Sequence, residues 1–220
     1  MKTAVLVGAT GLIGQFLLER LLAASEYSSV IAIGRSEPKI ESQKLTWIKS
    51  ELDQLSQLNL KADDFFCTLG STIKKAGSQE QFRMVDFMSV VEFAMLAQAT
   101  SASHFCVVSA LGANKNSSVF YNQVKGEMEE ALQNLKLKRL SIFRPSLLIG
   151  PREETRNGEK VGAALVKVFA PIMLGPLKRY LPIEARVVAR AMFHVSQSAG
   201  PELEIFESDA IVAKAGEYAF

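Results

Sequence analysis

The stretch that most restricts this chain lies near its start, where an apolar run, Thr3 to Val7, passes directly into Gly8-Ala9-Thr10-Gly11-Leu12-Ile13-Gly14. The glycines are spaced GxxGxxG. They open a segment, Leu12 to Ala24, in which Ile13, Leu17, Leu18, Leu21 and Leu22 form one apolar helical stripe. Strand, tight glycine turn and amphipathic helix in that order are the context in which backbone N–H groups cradle a diphosphate. Each glycine then has its own task. Gly8 takes backbone angles closed to other residues, Gly11 lets a pyrophosphate approach the main chain, and Gly14 lets the helix pack close to the strand.

The alternation continues along the chain. Further strands are predicted at Val30 to Ile33, Leu45 to Ile48, Phe65 to Cys67, Phe105 to Val108, Leu140 to Phe143 and Leu203 to Phe206, with helices over Gln79 to Ala99 and Ser118 to Leu135. Right-handed crossovers would put helices on both faces of a parallel sheet, so the expected class is α/β, a doubly wound Rossmann fold. At 220 residues the chain reads as one domain, 1–220. After Pro145 the pattern fades, and Ser146 to Ile183 carries Pro151, Pro171, Pro176 and Pro182. Residues 146–183 are expected to form a small irregular part facing the substrate, over the crevice beyond the strand ends. Within it Phe169, Ile172, Met173 and Leu174 read first as a pocket wall, a homodimer contact or membrane-surface patch being the other readings.

Composition narrows the partners. Twenty-five Lys and Arg stand against 23 Asp and Glu, and a formal charge of +2 is far from the basic balance that nucleic-acid binding needs. Cys67 and Cys106 sit inside apolar runs and imply no disulfide framework, and two histidines, His104 and His194, make no metal-ligand pattern. The Lys2-led N-terminus resembles a signal peptide, but Thr10, Gln15 and the glycines interrupt it. The longest apolar stretch, Val161 to Leu177, contains Lys167, Pro171 and Gly175 and falls short of the roughly 18 uninterrupted apolar residues of a membrane span. A cytoplasmic protein with a small-molecule substrate, no nucleic acid and no integral membrane segment is the resulting expectation.

The end of the second strand selects the nucleotide. A carboxylate there would accept from an adenosine ribose and repel an added phosphate, but the residues are Ile33-Gly34-Arg35-Ser36, with no acid before Glu37. Arg35 can pair with a phosphate and Ser36 can donate to it, so NADP is expected ahead of NAD.

A hydroxyl, Ser109, ends the strand that closes Val107-Val108, and Tyr121-Asn122-Gln123-Val124-Lys125 follows on the next helix. The inward stripe of that helix is Tyr121, Val124, Met128, Ala131, Leu132 and Leu135, and Lys125 falls on it. An inward amine needs a partner or a shifted pKa. A free phenol loses its proton only near pH 10, and an ammonium one turn away favours the phenolate, which would make Tyr121 a usable general acid or base. Ser109 would hold the reacting oxygen and Lys125 would also contact a nicotinamide ribose.

VGATGLIG, VVSALGA, YNQVK and FRPSLLIGPR together resemble the short-chain dehydrogenase/reductase superfamily, in particular its compact atypical branch of Tat-interacting-protein-like oxidoreductases. The resemblance spans nearly the whole chain. It implies proton transfer by Ser109, Tyr121 and Lys125, and cofactor contacts at Gly8, Thr10, Gly11, Leu12, Ile13 and Gly14, at Arg35 and Ser36, and at Leu52 after Glu51. It also implies contacts from Leu69 and Gly70 after the fourth strand, and from Pro145 beside Arg144. Two places depart from the pattern. Cys67-Thr68-Leu69-Gly70 stands where relatives have a turn such as Asn-Ala-Gly, and Asp86 stands where many place an asparagine that anchors a relay water. Asp86 reads either as a water-holding carboxylate or as a solvated charge. The functional expectation is hydride transfer between nicotinamide and a carbonyl or secondary alcohol. An NADP(H)-sensing regulatory protein is the first alternative, and a sugar-nucleotide epimerase or dehydratase the second.

Overall fold

A computed structural model describes residues 1–150 and 179–216. Its elements are β1 (Lys2–Val7), α1 (Gly14–Ala23), β2 (Tyr27–Gly34), β3 (Leu45–Lys49), β4 (Asp64–Cys67), α2 (Ile73–Ala76), α3 (Gln79–Arg83), α4 (Ser89–Ala99), β5 (His104–Val108) and α5 (Phe120–Asn134). They continue with β6 (Leu140–Arg144), β7 (Leu148–Ile149), β8 (Ile183–Glu184), α6 (Ala185–Gln197), β9 (Leu203–Glu207) and α7 (Ser208–Lys214). Seven strands form one parallel sheet in the order β3-β2-β1-β4-β5-β6-β9. The doubly wound expectation therefore holds, and each of the seven predicted strands is present in the predicted place.

Alternate residues of the strands face opposite layers. Ala4, Leu6, Phe66, Cys106 and Phe143 pack beneath α1, α6 and α7, while Val5, Val7, Phe65, Cys67, Phe105 and Ile142 pack beneath α4 and α5. Both cysteines are buried and unpaired, as their apolar surroundings implied. Burial on both faces explains why these strands read as continuous apolar runs rather than alternating ones.

Two differences from the sequence reading matter for the site. The predicted helix over Gln79 to Ala99 is interrupted at Met84–Met88 by a π turn, closed by the Ser89 N–H reaching back to the Met84 carbonyl. An extra residue in one turn re-aims the side chains it carries. The helix α6 was not anticipated, although Val187, Val188, Ala191, Met192 and Val195 make a buried stripe at helical spacing. Most of the expected substrate-facing part, including Phe169 to Leu174, lies outside the described residues. Its two ends are held together, Leu148 pairing with Ile183 and the Ser146 hydroxyl donating to the Leu181 carbonyl, while Arg179 pairs with Glu207 of β9 at 3.1 Å.

Candidate functional site

Strand order reverses between β1 and β4, and crevices open beyond the carboxyl ends of strands at such a point. Gly8 leaves β1 with φ of +83°, and a Cβ there would stand 2.7 Å from the Thr68 hydroxyl at the end of β4. Thr68 ties the two strand ends together, its Oγ1 donating to the carbonyls of Val7 at 2.9 Å and Gly8 at 3.1 Å. The Gly11 N–H closes the turn on the Gly8 carbonyl at 2.9 Å. A Cβ on Gly14 would sit 2.0 Å from that same carbonyl oxygen, so only glycine lets α1 start so near the strand. Leu12 is half-buried and Thr10 exposed, whereas the Ile13 side chain joins the apolar core and leaves only its backbone to a ligand.

A hollow of about 110 Å³ continues from this turn, lined by Gly8, Thr10, Gly34, Arg35, Ser36, Leu52 and Leu69 among others. Beside it runs a groove of about 530 Å³ between the start of α1 and Ser36 to Ile40, with Lys39 and Lys75 on its walls. Gly8, Thr10, Arg35, Ser36, Leu52 and Leu69, from the loops after the first four strands, thus share one rim, whereas Gly70 lies beside Asp86 and Lys125. The shape fits a dinucleotide: a glycine turn at a helix N-terminus for the diphosphate, and exposed Arg35 and Ser36 at the far end.

The second cluster is polar and buried. Lys125 Nζ lies 2.7 Å from Asp86 Oδ1, with side-chain exposures of 3% and 0%. Asp86 Oδ2 accepts from the Ser71 N–H at 2.8 Å, and a Cβ on Gly70 would lie 3.6 Å from Oδ1 and 4.0 Å from Nζ. Asp86 is therefore not a solvated charge; the π turn aims it inward. Burial is the largest single influence on Lys125 and presses its pKa down, but the Asp86 carboxylate, Tyr121 and Cys67 together outweigh it, and the net displacement is upward. Tyr121 is half-buried, its ring centred 5.4 Å from that of Phe82. Below them burial pushes the Cys67 thiol up to about 12, which removes it as a nucleophile near neutrality.

Ser109, expected to hold the reacting oxygen, does follow the carboxyl end of β5. It is buried, and its hydroxyl donates to Glu129 Oε1 at 2.5 Å. Glu129 in turn is gripped by Arg144, whose Nε lies 2.9 Å from Oε1, and these bonds hold the guanidinium pKa above its usual value. Pro145 is buried and its carbonyl accepts from the Leu111 N–H at 2.9 Å, fixing the backbone after β5 against that after β6. Glu129 escaped the sequence reading. Its signal was an acid on the inward stripe of α5, one turn beyond Lys125.

A family model described as NAD(P)H-binding matches residues 8–163, which takes in the glycine turn, the hollow and both polar clusters. The chain belongs to this NAD(P)H-binding family. Protein HTATIP2 of Rattus norvegicus is 35% identical over 219 residues, covering 96% of this chain and 88% of that protein. Protein FMP52, mitochondrial, of Meyerozyma guilliermondii is 30% identical across 98% of this chain and 96% of its own length. Among solved structures, the Bordetella bronchiseptica enzyme WbmH in complex with NAD+ aligns with a TM-score of 0.70 at 16% identity, over 94% of this chain and 76% of that one. The expected resemblance to the compact short-chain dehydrogenase/reductase branch holds.

The comparisons correct one expectation. The FMP52 relatives, among them FMP52-1 of Scheffersomyces stipitis at 36% identity over 70% of this chain and 71% of that protein, carry mitochondrial names, against the cytoplasmic reading. Among the described residues no helix is long and apolar enough to cross a membrane.

Proposed function

We propose that this NAD(P)H-binding protein is an NADP-dependent oxidoreductase that moves hydride between nicotinamide and a carbonyl or secondary alcohol. The observation that carries the reading is the placement of Tyr121 one helical turn from a buried, ion-paired Lys125, beneath the loop that leaves β4 beside the glycine turn. When bound, the nicotinamide ring supplies or accepts the hydride. The chain's own residues then have to hold the substrate oxygen and exchange its proton.

Tyr121 is the proposed proton donor to that oxygen during reduction and acceptor during oxidation. Lys125, kept charged, favours the phenolate left behind. The Ser109 hydroxyl has one hydrogen to donate, and the Glu129 carboxylate accepts it. Its oxygen is thus arranged to accept from an alcohol, while donation to a carbonyl requires the hydroxyl to turn away from Glu129. Most of the work of proton transfer accordingly falls on Tyr121. Arg35 and Ser36 are proposed to hold the phosphate that distinguishes NADP from NAD, since no carboxylate stands between them and the hollow. Residues 146–183 are proposed to cover the substrate.

The test is steady-state reduction of a panel of aldehydes, ketones and quinones with NADPH and with NADH. Turnover that vanishes in Tyr121→Phe while NADPH still binds supports the assignment. Turnover unchanged in that variant refutes it, and NADPH binding with no turnover on any carbonyl points to a regulatory binding protein instead.

A further inference from the structure

We infer that Asp86 is the positioning residue of this site, the fixed anion that keeps the Lys125 ammonium charged and aimed toward Tyr121. The inference rests on the Tyr121–Lys125 reading above and adds to it the group on which Lys125 depends. Three separate pieces of chain are needed to build it. Lys125 comes from α5, Asp86 from the π turn Met84–Met88, and the backbone N–H that immobilises Asp86 from Ser71 in the loop after β4. The carboxylate is divided between them: Oδ1 lies 2.7 Å from the amine and Oδ2 is 2.8 Å from the amide nitrogen. A side chain held at both oxygens and wholly buried has one orientation.

Three groups among the described residues act on Lys125. Asp86 approaches from the π turn, Cys67 from β4 and Tyr121 from its own helix. Cys67 is neutral, because burial holds its proton. Asp86 is therefore the standing negative charge opposite the amine. Removing one partner of a buried pair leaves the other charge without compensation, and a buried amine answers by giving up its proton. A neutral amine no longer favours a phenolate, so the loss passes from Asp86 through Lys125 to proton transfer at Tyr121. The π turn has the same logic: without its extra residue Asp86 would rotate off the direction of Nζ.

The experiment is Asp86→Asn, near in shape and without charge, read in two ways. The first follows the Lys125 side chain by nuclear magnetic resonance of lysine-labelled protein, assigned with Lys125→Met. The Lys125 midpoint is expected to fall by at least one pH unit, tenfold in proton affinity. The second is the pH profile of kcat for NADPH-driven reduction of phenanthrenequinone, whose alkaline limb is expected to move down with the amine. An unmoved Lys125 midpoint overturns the inference. So does a profile that keeps its shape and merely scales, since a structural contribution alone would do that. If Asp86→Asn does not fold, Asp86→Asn/Lys125→Met is expected to fold because no buried charge is left unpaired, and its failure overturns the pairing. Unchanged turnover in Tyr121→Phe, by contrast, sinks the oxidoreductase reading and leaves the Lys125 midpoint to judge Asp86.

Discussion

The Ser109 hydroxyl donates its one hydrogen bond to Glu129, a carboxylate that Arg144 holds at both oxygens. A serine so engaged is a poor donor to a carbonyl. In reduction, Ser109→Ala is expected to lower kcat/KM by less than about tenfold, whereas Tyr121→Phe is expected to lower it by the roughly 10²–10⁴-fold of a lost general acid. Steady-state kinetics of the two variants on the same carbonyl decide the matter, and equal losses would return Ser109 to direct contact with the substrate.

Glu129→Gln should act on stability before activity. It removes the anion that pairs with Arg144, and the expected cost is about 1.5–3 kcal/mol, the usual worth of a hydrogen bond to a charged group. Chemical denaturation midpoints measure it, and a variant as stable as the parent would show that Arg144 finds water in place of Glu129.

A methyl group at position 14 has nowhere to go, because its carbon would overlap the Gly8 carbonyl. The obstacle is backbone and cannot swing aside. Gly14→Ala is expected to lose about 3 kcal/mol or to push α1 away from β1, with NADPH affinity falling in either case. Isothermal titration alongside denaturation would report both losses.

Arg35 stands exposed at the rim of the hollow, with Ser36 beside it. Arg35→Ala is expected to weaken NADPH binding by about ten- to a hundredfold, equivalent to roughly 1.5–3 kcal/mol for a charged hydrogen bond, and to leave NADH binding nearly unchanged. Parallel losses for both nucleotides would remove Arg35 from phosphate recognition.

His104 lies at the opposite end of the sheet, buried, with Nε2 2.9 Å from the Ser141 hydroxyl. Burial, reinforced by Arg139 and Lys2, lowers its pKa from 6.5 to about 3. The unfolded chain therefore takes up the proton first. The contribution of His104 to stability is intact above pH 6.5 and is lost as pH falls toward 3, by an amount of the order of 5 kcal/mol. Asp64 works in the opposite sense, since burial raises its carboxyl pKa and its contribution is lost as pH rises past 3.8. Denaturation at stepped pH should show stability declining below 6.5, and His104→Gln should flatten that slope.

How much of this was legible beforehand differs between the fold and the site. The central strands β1, β4, β5 and β6 appear because a strand buried on both faces writes itself as an apolar run, and Gly8 and Gly14 mark a turn that no other residue fits. The inward position of Lys125 was also legible, from its place among Val124, Met128 and Leu132. Its counter-ion was not, because Asp86 lies in another element and reaches Lys125 only through a π turn that a 3.6-residue period does not encode. Ser109 shows the same limit: its place at the strand end follows from local pattern, and its capture by Glu129 does not.

What the amino-acid order determined alone is whatever depends on near neighbours: which segments are strands and helices, where the chain turns on glycine, and which face of each helix is apolar. Tertiary structure decided which charges and hydroxyls meet, namely Lys125 with Asp86 and Ser109 with Glu129 and Arg144. The physical reason is range. Backbone sterics and hydrophobic periodicity act over a few residues, whereas a buried polar group takes as partner whatever the packed sheet brings within about 3 Å, however distant along the chain.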